Sequence, residues 1–210
     1  TGEVLAYLNS DDLYLPGALR IVAERFMASE ALRWLCGPIV KFGQERSPEM
    51  LAYDPPLAKG DFLRPLGSPI QQQGSFWHRS VWAKIGPFDE SLRYAFDCEY
   101  WLRMLKEGFW PQWARYPMAG YRLHPSSKTV AETSPFMEEL AKVQESYREI
   151  FSKRDHKHYH WKARLDYASK LASKGKHGRA LLFWGYANVH RPLCTLSAHS
   201  LNTLCSLIAG

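Results

Sequence analysis

Three separate stretches of the chain place carboxylates or an imidazole where polar chemistry could be done. Asp11 and Asp12 stand side by side in LNSDDLYLPGAL, Asp97 and Glu99 fall within YAFDCEYWLRMLKEG, and His124 closes the run YRLH in YRLHPSSKT. Adjacent carboxylates can hold a hard divalent cation, which takes oxygen ligands and neutralises phosphate charge. A lone carboxylate elsewhere can take the proton of an attacking hydroxyl. A neutral imidazole can ligate a metal and a protonated one can contact phosphate, with Arg122, Ser126, Ser127 and Lys128 adding phosphate-competent donors close by. Plainer readings stand beside these. Asp11-Asp12 and Asp97 could simply cap helices, Trp101 and Tyr100 could be core aromatics, and a single histidine is more often a surface or satisfied residue.

The elements that must position these groups are legible in outline. Val4 to Leu8 is a short apolar run ended by Asn9-Ser10-Asp11-Asp12, which predicts a buried strand feeding a loop. Leu19, Val22, Ala23 and Phe26 recur at helical spacing after Pro16 and predict a helix with one face on the core. Trp34 to Phe42 reads as one further strand. Residues 44–69 hold five prolines and two glycines without a sustained period, and read as long connections around a short helix. Gly74-Ser75-Phe76-Trp77 predicts a strand, Ser80 to Ile85 a short helix closed by Gly86, and Asp97 the start of a helix ended by Gly108. A last strand is expected near Ala119–Leu123. Phe136, Leu140, Val143, Tyr147 and Ile150 then mark a long amphipathic helix.

Of 210 residues, 46% are hydrophobic, enough for one core plus a small appendage. The net charge of +6 is unevenly spread. Residues 152–191 carry ten Lys or Arg against Asp155 and Asp166, leaving the rest of the chain with 17 basic and 19 acidic residues. The positive charge therefore belongs to the C-terminal part, and the body is not expected to be a nucleic-acid platform. Residues 192–210 contain no Asp, Glu, Lys or Arg but are too polar for a membrane span, which suggests an interfacial or packed helix. Four scattered cysteines exclude a dense disulfide scaffold and favour a reducing setting.

LNSDDLYLPGAL resembles the aspartate-containing metal motif of the family 2 glycosyltransferases, and the order acidic pair, QQQGSFW, DCE before WLR, then YRLH is similar to that family's order over residues 1 to 130. The resemblance implies the GT-A fold: an α/β, Rossmann-like mixed sheet flanked by helices. It implies an inverting transfer of a sugar from a nucleotide-sugar donor, UDP-linked or similarly activated, to a saccharide or lipid-linked acceptor. Carried over residue by residue, Asp12 is the ligand of a magnesium or manganese ion, Asp11 lies near the donor's ribose or the cation's water shell, and His124 approaches the metal and diphosphate. Asp97 is the base, with Glu99 the runner-up. Gln73 and Gly74 line the site, and Glu99, Trp101, Arg103 and Arg122 are further candidates for substrate contact. Asn9 departs from the pattern, since many members carry an acid there.

The chain opens on Thr1-Gly2-Glu3 and runs directly into VLAYL, so one or more preceding βα units are expected upstream. Residues 1–151 are expected to form a partial catalytic domain and 152–210 a basic, then apolar, helical extension. Docking of residues 152–191 on an anionic membrane would put a cytoplasmic enzyme on the inner face of the cell membrane, beside a lipid-linked acceptor. Two rival readings remain, a nucleotidyltransferase-like enzyme, which needs metal carboxylates but no acceptor base, and a non-catalytic nucleotide-sugar-binding fragment.

Overall fold

The computed structural model describes residues 2–43, 46–51, 58–64, 68–124, 133–172 and 177–189. The chain is a mixed α/β protein that divides into two compact units, residues 1–57 with 65–150, and residues 58–64 with 151–210.

The first unit holds two mixed four-stranded sheets. One is ordered β1 (Val4–Ala6), β6 (Ser75–His78), β3 (Trp34–Cys36), β7 (Gln112–Trp113); the other β2 (Leu13–Tyr14), β8 (Ala119–Leu123), β4 (Ile39–Gly43), β5 (Arg46–Leu51). Within the first sheet, Trp34 pairs with Trp77 and Leu35 with Phe76. Side chains alternate across a strand, so the two pairs face opposite sides. Leu35 and Phe76 join Ala18 and Val22 of α1 (Ala18–Ala28) in one core cluster. Trp34 and Trp77 instead meet Trp101 of α3 (Phe96–Lys106), at ring-centroid distances of 5.1 and 5.7 Å. The sheet is thereby sandwiched between helices.

Several expected elements are redrawn. The stretch Trp34–Phe42 is two strands in different sheets, broken at Gly37-Pro38, where the Gly37 N–H donates to the Gly74 carbonyl. β5 lies in the segment expected to be connection. It tolerates Pro48 because it is the sheet's outer strand, where a missing donor can face away from the ladder. The α1 face is rotated from the expected one, with Ala18 and Val22 buried while Leu19 and Ala23 are exposed. Gly86 does close α2 (Arg79–Ile85), with φ of 80° and its N–H on the Trp82 carbonyl at 2.8 Å. Helix α4 (Thr133–Ser146) completes the first unit with a short 3₁₀ turn, Arg148–Ile150.

The second unit consists of α5 (Lys153–Ala172) and α6 (His177–Val189), which pack on each other, and a 3₁₀ turn, Lys59–Leu63, against α5. Asp61 on that turn is 2% exposed; its carboxylate meets Lys162 at 2.9 Å and His158 at 3.1 Å. Residues 58–64 thus belong with the helical unit, a partition that hydrophobic periodicity cannot reveal. Among the described residues no helix is long and apolar enough to cross a membrane, and the charge-free segment 192–210 lies outside them.

Candidate functional site

Strand pairing brings the site together. Asn9 to Asp12 connect β1 of one sheet to β2 of the other, so this loop is bracketed by the partners of both strands. β1 pairs with β6, which draws in the preceding 3₁₀ turn, Gln72–Gly74. β2 pairs with β8, which draws in Arg122 and His124. Tyr7, just after β1, packs edge-on against Phe96 at 5.6 Å and so brings the start of α3, with Asp97, to the same place.

The result is a cavity of about 840 Å³ in the first unit, lined by Asn9, Asp11, Gln71 to Gln73, Asp97 and His124 together with aromatic residues. Asp11 and His124 form a pair across the cavity wall, with carboxylate Oδ2 2.9 Å from imidazole Nε2. The hydrogen bond from His124 is the main reason the Asp11 carboxyl lies below its ordinary pKa, against an opposing effect of burial.

Asp12 is differently employed. Its Oδ2 accepts from Asn9 Nδ2 at 3.1 Å and from Gln73 Nε2 at 2.9 Å, and its Oδ1 accepts the Arg122 backbone N–H at 2.9 Å. Three donors occupy it, and it is not among the residues lining the cavity. Its geometry is that of a clamp tying the acidic loop to the Gln72–Gly74 turn and to β8. Asn9 has a reason to be an amide here, since an acid would set a second carboxylate where Asp12 needs a donor. Neither aspartate caps α1: Leu13–Tyr14 intervenes as a strand, and the helix begins after Gly17.

Asp97 lies inside the first turn of α3; the N-cap is Ala95. Its Oδ1 accepts the Cys98 N–H at 2.7 Å. The residue as a whole is half-buried, yet its carboxyl is recessed enough that desolvation raises its pKa, outweighing the hydrogen bond from Cys98. A raised pKa makes a carboxylate a stronger base when it is ionised.

Other expected contacts fall elsewhere. Trp101 is 0% exposed, stacked on Trp34 with planes 25° apart, and cannot floor a pocket. Glu99 is buried and takes both Arg103 Nε, at 3.0 Å, and Nη2, at 2.7 Å; Tyr147 adds its hydroxyl at 2.5 Å. Arg103 Nη1 also donates to the Ile85 and Pro87 carbonyls. This network joins α3 to the end of α2 and to the segment after α4, and none of its side chains lines the cavity. Glu99→Gln should therefore cost about 1–3 kcal/mol of stability, read as a lowered denaturant midpoint. An unchanged midpoint with lost ligand binding would instead place Glu99 in the site.

Gly74 is required by the sheets, because a Cβ there would meet the Gly37 carbonyl oxygen at 2.5 Å. Gln73 lines the cavity while holding Asp12. Arg122 is exposed, donates from Nε to the Asp11 carbonyl at 3.1 Å and lies over the Phe42 ring at 5.1 Å. Ser126, Ser127 and Lys128 lie outside the described residues.

Several contributors carry no local signal in the sequence. Lys41 and Tyr121, register partners on β4 and β8, both line the cavity, as do Arg93, Tyr94 and Phe136. Glu139 on α4 accepts the backbone N–H groups of Arg93, Tyr94 and Ala95 at 3.0, 2.7 and 2.6 Å, which anchors the approach to Asp97. Burial works to raise the Glu139 pKa, but these three donors prevail and hold it below its ordinary value.

Neither a protein-family model nor a curated protein sequence matches this chain. Among the described residues no three or more His, Cys, Asp or Glu side chains converge on one point. Asp11 Oδ2 and His124 Nε2, now hydrogen-bonded to each other, would supply one oxygen and one nitrogen donor at the cavity if that bond were given up. The carboxylate suits magnesium or manganese with phosphate oxygens completing the shell, and the imidazole suits manganese better than magnesium.

Proposed function

We propose that the chain is an inverting, metal-assisted glycosyltransferase of the GT-A type, similar to family 2. It uses a nucleotide-sugar donor, UDP-linked or similarly activated, and a saccharide or lipid-linked acceptor. The observation that carries this reading is a single cavity lined by Asp11, His124 and Asp97, which come from three distant parts of the chain.

Within this reading Asp11 and His124 would hold the divalent cation, and Asp12 is a positioning residue that fixes the loop bearing Asp11. When bound, the cation offsets the charge of the departing diphosphate. Asp97 accepts the proton of the acceptor hydroxyl as that oxygen attacks the anomeric carbon from the side opposite the leaving group. Gln71, also on the cavity wall, offers an amide donor and acceptor to sugar hydroxyls, whereas the Gln72 amide is engaged with the Tyr7 carbonyl and Asn9. The recessed carboxylate with a raised pKa favours transfer to a hydroxyl over nucleotidyl transfer, which needs no such base.

The test is a panel of nucleotide sugars with manganese or magnesium, reading released nucleoside diphosphate. No release and no donor binding across the panel would defeat the proposal. Asp11→Ala should weaken manganese binding, followed by calorimetry, by at least about tenfold with little change in folding. Loss of an outer-shell partner typically costs about 10–100-fold in affinity, and in this reading Asp11 is a direct ligand. Asp12→Ala should lower thermal stability as well, because it takes the shared acceptor from Gln73 Nε2 and the Arg122 N–H and leaves Asn9 with Gln72 only. The reverse pattern would return the ligand role to Asp12.

A further inference from the structure

The helical unit presents a face that the proposed transfer does not use. On α5, Lys153, His156, Lys157, His160 and Tyr167 are exposed and Arg164 is half-exposed. At 3.6 residues per turn these six positions fall within an arc of roughly 100°. The opposite side of the helix is committed to the unit's interior. Trp161, Leu165 and Ala168 are buried, and His158 and Lys162 hold the Asp61 carboxylate. The arc contains no acid. Asp155, on the first turn, is occupied in accepting the Ser152 N–H at 2.8 Å and hydroxyl at 2.6 Å, an N-terminal cap.

A cationic arc by itself is what a solvated helix carries. The neighbouring helix adds a second feature, since Leu181 and Leu182 on α6 are 52% and 74% exposed, and Tyr167 on the arc is 46% exposed. Water gains nothing from adjacent exposed leucines, and neither would a nucleic-acid backbone. Cations together with leucine and tyrosine match the boundary between anionic headgroups and acyl chains.

We propose that the helical unit docks peripherally on an anionic phospholipid surface, with Lys153, Lys157 and Arg164 meeting headgroups and Leu182 entering the interface. This follows from charge and exposure in the second unit and stands or falls independently of the transferase reading.

The experiment is flotation of the full chain with phosphatidylcholine vesicles, alone or containing phosphatidylglycerol, at low and high salt. Binding is expected only with phosphatidylglycerol and should weaken as salt rises. Lys153→Gln with Lys157→Gln should lower the partition constant roughly 30-fold, and Leu182→Ser should lower it further. Arg20→Gln, an exposed control on α1 in the other unit, should leave it unchanged; circular dichroism would verify that every variant keeps its helices. No flotation with anionic vesicles at low salt would overturn the proposal. So would an equal loss in Arg20→Gln. Insensitivity to Leu182→Ser, combined with tighter retention on single-stranded RNA than on vesicles, would overturn it in favour of a polyanion surface.

Discussion

Asp97→Asn should lower turnover by about two to four orders of magnitude while leaving cation and nucleotide binding intact, because Asp97 lines the cavity but is not paired with Asp11 or His124. Stability should not fall with activity. Desolvation raises the Asp97 pKa in the folded protein, so the native state holds this proton more tightly than the unfolded chain, whose carboxyl titrates near about 3.9. The resulting destabilisation is absent below that pH, grows as pH rises through the interval up to the native pKa, and is fully present above it. An amide carries no such burden. Thermal melts across pH should find Asp97→Asn at least as stable as the parent at neutral pH, with the difference shrinking in acid. Turnover of the parent should fall as pH drops through the raised native value, where the base becomes protonated. A variant that loses activity and melting temperature together would make Asp97 a structural residue, and one that keeps its activity would favour nucleotidyl transfer.

Trp101→Ala should destabilise the fold by about 3–5 kcal/mol, a large fraction of what a domain of this size has to lose. Trp101 is fully buried, stacked on Trp34, and edge-on to Trp77 and Tyr100 at 5.7 and 5.8 Å. The substitution would leave a cavity between α3 and the first sheet, and the start of α3 carries Asp97. Urea unfolding should therefore show a lower midpoint with an unchanged slope. If stability were retained while sugar binding was lost, Trp101 would be the pocket residue that its sequence context suggested.

These two residues stand four apart on one helix, and they illustrate how much of the site can be read from a string of letters. Residue types and their order pointed to carboxylates that could serve a metal and a base, and the types are what chemistry requires. The division of labour between Asp11 and Asp12 was not legible, because both follow the same strand and differ only in what their oxygens meet. That depends on Gln73 and on the Arg122 N–H, 61 and 110 residues away. Trp101 and Glu99 share a motif with Asp97, yet a helix turns successive residues by about 100°, which sends Glu99 to another side, while Trp101, on the same side but one turn further along, is buried against Trp34 and Trp77. Lys41, Tyr121 and Glu139 had no signal at all, since a lone lysine or glutamate looks alike whether it faces water or a cavity.

By itself the sequence determined the mixed α/β character, most helices and inner strands, the glycine stop of α2 and the confinement of positive charge to the C-terminal part. Each of these follows from local periodicity, backbone freedom or composition. The tertiary structure decided what local rules cannot reach: the break at Gly37-Pro38 that sends one apolar run into two sheets, the outer strand that accepts Pro48, and the attachment of residues 58–64 to the helical unit. It also decided which aspartate faces the cavity. The physical reason is common to all of them, because each outcome is fixed by a hydrogen-bond or packing partner far along the chain.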